Sequence, residues 1–65
     1  MSREYPLSVQ IGELERELRV RAQVYPGQIA RGNLKAAEAV RRVAILEEAI
    51  ATLKDLREQG TGNGQ

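Results

Sequence analysis

The apolar residues of this chain recur at helical spacing in two runs, and a Pro-Gly pair stands between them. The first run is Leu7, Ile11, Leu14, Leu18, Ala22 and Tyr25, with gaps of four, three, four, four and three. Such gaps draw one stripe along a helix. The second run, Ala36, Ala39, Val43, Leu46, Ile50 and Leu53, alternates threes and fours as a heptad does. Two such runs predict an all-α fold: an antiparallel two-helix hairpin over residues 1–59, with helices at about 7–25 and 34–59 and a turn at 26–33.

The boundaries follow from local chemistry. Ser8 is a candidate cap for the first helix, or Pro6 occupies its first turn. Glu15 with Arg19 and Glu17 with Arg21 stand four apart, acid first, which supports an exposed helical face. Gly12 costs up to about 1 kcal/mol in a helix unless a neighbour packs closely there. Pro26 biases Tyr25 away from helical angles and is expected to close the helix, with at most one further turn before Gly32. Asn33 is the better cap for the second helix. The ending Gly60-Thr61-Gly62-Asn63-Gly64-Gln65 has no apolar residue and is expected to be disordered.

The second helix carries more apolar surface than one neighbour can cover. Beside its main line run Ile45, Ala49 and Leu56, and Val40 lies on the other flank. Together these positions span roughly 200° of the helix circumference, about twice what one partner helix hides. A 65-residue chain without cysteine also has no disulfide to reinforce a thin core. A homodimer forming a four-helix bundle is therefore expected, with Val40, Arg42, Ile45, Ala49 and Leu56 at its interface. Arg42 lies inside the wide apolar arc and either crosses that interface or lays its stem on the core with its head in water.

Charge is unevenly spread although the net value is only +1. Residues 16–42 hold Arg16, Arg19, Arg21, Arg31, Lys35, Arg41 and Arg42 against Glu17 and Glu38, while both flanking segments are net acidic. In a hairpin this places a basic closed end opposite an acidic open end. Arg19, Tyr25, Ile29, Arg31, Lys35, Arg41 and Arg42 are the candidate partner-binding residues, since Tyr and Arg are typical interface anchors. For Tyr25 the plainer reading is a cover over the end of the core. The basic end equally suits the acidic end of a second copy, an acidic protein surface, or nucleotide and nucleic-acid phosphates. Few aromatics accompany it, so base stacking is not expected.

Enzymatic chemistry has no foothold in the sequence. There is no histidine or cysteine, so Ser2 and Ser8 lack an activating base and zinc lacks its usual ligands. No phosphate-binding loop occurs. The carboxylate pairs Glu13 with Glu17 and Glu47 with Glu48 read as solvated helix faces. No catalytic residue, metal or cofactor is expected. No apolar run reaches the roughly 20 residues that span a bilayer, and the first residues lack the apolar stretch of a secretory signal, so a cytoplasmic location is expected.

The stretches Glu13-Leu14-Glu15-Arg16-Glu17-Leu18, Val24-Tyr25-Pro26, Ile29-Ala30-Arg31-Gly32, Ala44-Ile45-Leu46-Glu47 and Ala49-Ile50-Ala51-Thr52-Leu53 resemble a group of small phage and prophage proteins. The resemblance covers about Ile11 to Leu53, and Tyr-Pro followed six residues later by Gly is its most specific element. It implies a phage or prophage setting inside a host cell and brings no activity or site residue. Small phage proteins of this kind often attach to a host protein and inhibit it. A host-protein modulator is the leading expectation, followed by a nucleotide- or nucleic-acid-binding accessory protein and a structural or assembly component.

Overall fold

The computed structural model describes residues 4–63, and side chains for residues 4–60. Two helices, α1 (Leu7–Ala30) and α2 (Ala36–Asn63), fold back on each other as an antiparallel hairpin. The molecule measures 51 × 19 × 18 Å, with a radius of gyration of 15.2 Å. A globular chain of this length would have about 11 Å. The hairpin is one layer of two helices, with no second layer to cover its faces.

Pro6 is the N-cap of α1, in extended geometry, and its carbonyl accepts the N–H groups of Val9 and Gln10, both at 3.1 Å. Ser8 lies within the first turn and no side chain caps the helix. The Gln10 side-chain amide instead donates to the Tyr5 carbonyl at 2.9 Å, tying the preceding segment to the helix.

The end of α1 differs from the sequence expectation. The helix continues through Tyr25 and Pro26 to Ala30, so Pro26 sits inside it. Proline removes only the bond to the carbonyl four residues back, that of Ala22, and Ala22 is exposed where water can serve. The stop comes at Gly32, with φ of 78°. Its N–H donates to Ile29 O at 3.0 Å, and Asn33 N–H reaches Gln28 O at 2.9 Å. These are the paired bonds of a Schellman ending. Asn33 therefore closes α1 and does not cap α2. Helix α2 begins two residues later than expected, at Ala36, with the Lys35 carbonyl accepting Ala39 N–H at 3.0 Å.

At its other end α2 runs on through Gly60 to Asn63, where a disordered tail was expected. Gly64 and Gln65 lie outside the described residues. The open half of the hairpin holds the main core: Ile11, Leu46 and Ile50, with Leu14, Leu18 and Leu53 packed against them. Ile11, 2% exposed, is its most enclosed member. Nearer the turn only Ala39 and Tyr25 are buried. Ala22 and Ala36, expected in the core lines, are exposed. Lys54 and Glu15 join the helices at 3.1 Å. Both are partly exposed, so the pair contributes at most about 1 kcal/mol. Gly12 has no neighbour within 4 Å of a built Cβ, so no close packing explains it.

Candidate interaction surfaces

The short core residues near the turn leave a groove of about 380 Å³ between the helices. Ala22, Pro26 and Ile29 line it from α1, and Val40, Val43 and Ala44 from α2. Tyr25 and Ala39 lie at its base, and Glu47 closes the end away from the turn. Val40 is 70% exposed, the most open large apolar side chain among the described residues. Continuing α1 through Pro26 is what brings Ile29 to this groove, because a helix broken at 25 would not carry its register there.

Tyr25 is only 9% exposed, so its ring is a wall of the core and not a free anchor. It stands close to the guanidinium groups of Arg21 and Arg42 and adds to the rise in pKa of both. The larger cause in each case is an acid on the same helix. Arg21 Nε donates to Glu17 at 3.0 Å and Arg42 Nε to Glu38 at 3.1 Å. Arg41 also reaches Glu38, at 3.2 Å. Held between two arginines, with Arg42 the stronger influence, the Glu38 carboxyl sits below its ordinary 4.5. Glu38 also occupies the first turn of α2, where negative charge suits the helix dipole.

The structure thus sorts the candidate cations. Arg41 and Arg42 are committed to Glu38. Arg31 and Lys35, at the turn, are exposed and make no ion pair among the described residues, and neither does Arg19. The Arg31 guanidinium folds back over Gly27, 3.3 Å from where a Cβ would stand. Arg19 is seven residues before Pro26 and so shares the groove's side of α1.

The expected dimer residues do not form one patch. Arg42, Ile45, Ala49 and Leu56 fall within about 60° of one another on α2, whereas Val40 lies roughly 140° from Ile45 and lines the groove. Ile45 is 53% and Leu56 40% exposed, and Ala49 is half-buried. A second hollow, about 440 Å³, opens at the other end between Tyr5, Val9, Gln10, Glu13, Leu14 and Leu53. Neither hollow was evident in the sequence, although the run of alanines near the turn was the available signal for the first. Among the described residues no cluster of three or more carboxylates could hold a metal, and no helix is long and apolar enough to cross a membrane. Compared with protein-family models, curated proteins and solved structures, the chain finds no match.

Proposed function

We propose that this chain is a non-enzymatic binding protein, a dimeric helical hairpin whose turn end docks on another protein. The observation that carries the reading is the apolar groove near the turn end of the hairpin, whose turn also holds Arg31 and Lys35, two cations without an ion pair among the described residues. An amphipathic helix with acidic residues beside its apolar stripe fits both features. Its apolar side chains would fill the space around Val40 and Ile29, and its acids would meet the cations. In the phage or prophage setting that the resemblance implies, the partner is a host protein whose activity is inhibited or otherwise altered by occupation of that helix. Nucleotide or nucleic-acid binding at the same end has weaker support, because Tyr25, the one aromatic there, is buried and offers no stacking face.

The test is affinity capture from host lysate, then direct titration of the captured protein against wild type and the Arg31→Glu/Lys35→Glu variant. Both substituted side chains are exposed, so helicity should be unchanged. Binding at least tenfold weaker in the variant, and weaker in added salt, is expected. Equal affinity for the two would remove the turn end from the site.

A further inference from the structure

We infer that two copies of the chain meet through α2, antiparallel, along a seam distinct from the groove. This deepens the proposed dimer by giving it a face and a direction, and it leaves the partner site free.

The seam is Glu38, Arg42, Ile45, Ala49, Thr52 and Leu56, spaced four, three, four, three and four. It runs alongside the line that packs on α1 (Ala39, Val43, Leu46, Ile50 and Leu53), displaced by about one residue. Helices with two such adjoining lines touch two neighbours, as in a bundle. The hairpin supplies α2 with one neighbour, and Ile45 and Leu56 are left in water. Thr52 fits an apolar contact, since its hydroxyl is already spent on the Glu48 carbonyl at 2.9 Å. Ala49 lies at the middle, where a small side chain lets helices approach.

Area argues for a second copy of standard interface size. The chain exposes 5144 Å², whereas a folded monomer of its mass exposes about 4100 Å². The excess, on the order of 1000 Å², is close to the roughly 800 Å² that each partner contributes to a stable interface.

Charge sets the direction. The turn end of the hairpin is net positive, with Arg31, Lys35, Arg41 and Arg42 against Glu38. A two-fold axis across the helices holds the two basic turns at opposite ends of the dimer. A two-fold axis along the helices would gather the basic turns at one end. It would also seat the apolar seam on α1 of the second copy, where Glu17 and Arg21 stand. With the axis between Ala49 and Thr52, Ile45 faces Leu56 of the second copy.

Because the chain has no cysteine, introduced thiols report the arrangement without background. Ile45→Cys and Leu56→Cys variants of the full chain are oxidised separately and as an equimolar mixture. Eleven residues separate the two positions, about 16 Å along the helix, well beyond disulfide reach. The mixture should give the crosslinked heterodimer, and neither variant alone should crosslink appreciably. Sedimentation should give twice the 7.2 kDa chain mass for wild type and for Val40→Glu, and the single mass for Ile45→Glu/Leu56→Glu. A wild-type monomer at hundreds of micromolar, efficient crosslinking of either variant by itself, or a dimer broken by Val40→Glu overturns the inference. A dimer assembled as described that binds no partner refutes only the proposed partner site. A monomer that still binds its partner through Arg31 and Lys35 refutes only the dimer.

Discussion

Replacing Pro26 with alanine should stabilise the protein, and the size of the effect tests whether α1 truly runs through this residue. Proline inside a helix is about 3 kcal/mol less favourable than alanine, from the missing N–H and the ring's clash with the carbonyl four residues back. Two features reduce the expected gain. The Ala22 carbonyl is on an exposed residue, where water can satisfy part of its bonding. Proline also restricts the unfolded chain, which offsets roughly 0.5–1 kcal/mol. The net expectation is about 2 kcal/mol. At roughly 4–8 °C per kcal/mol for a chain of this size, the thermal midpoint of Pro26→Ala should rise by about 10 °C. Circular dichroism at one fixed protein concentration is the assay, because any self-association makes the midpoint depend on concentration. Helical signal should be retained or slightly increased. An unchanged or lower midpoint would refute a continuous α1. It would mean that Pro26 opens a separate turn, where alanine gains nothing.

Two further expectations follow from the turn and from Glu38. Gly32→Ala should cost about 1 kcal/mol in urea unfolding, entirely from placing an L residue at φ of 78°, since nothing lies within 4 Å of the new methyl; Gly32→Asn should cost less. Glu38 has a lowered folded pKa, so its contribution to stability is complete above its ordinary 4.5 and is lost as the pH falls through the folded value. The difference in thermal midpoint between wild type and Glu38→Gln should therefore be present at pH 7 and vanish in acid. A difference that persists unchanged at pH 3 would show that the two arginines act through packing and not through the carboxylate's charge.

Periodicity made the helices and most of the core legible: Ile11, Leu46 and Ile50 are buried where their spacing put them. The boundaries were less legible, because local preference at Tyr25-Pro26 competes with the packing of Tyr25 against α2 and with the glycine stop six residues beyond the proline. Asn33 shows the same competition, since its backbone closes one helix before its side chain can cap the next. The candidate partner-binding residues were only partly sorted by linear pattern. Glu38 stands three and four residues before Arg41 and Arg42, a spacing that favours their pairing, whereas the turn leaves Arg31 and Lys35 without an ion pair among the described residues.

By itself the sequence determined that the chain forms two helices, that a stop at Gly32 separates them, and that α2 has apolar residues to spare. Those properties depend on spacing along the chain. Tertiary structure decided which face each spare residue occupies, because that depends on how α2 is rotated against α1. The rotation that buries Ala39, Leu46 and Ile50 sends Val40 to one side of the hairpin and Ile45, Ala49 and Leu56 to the other.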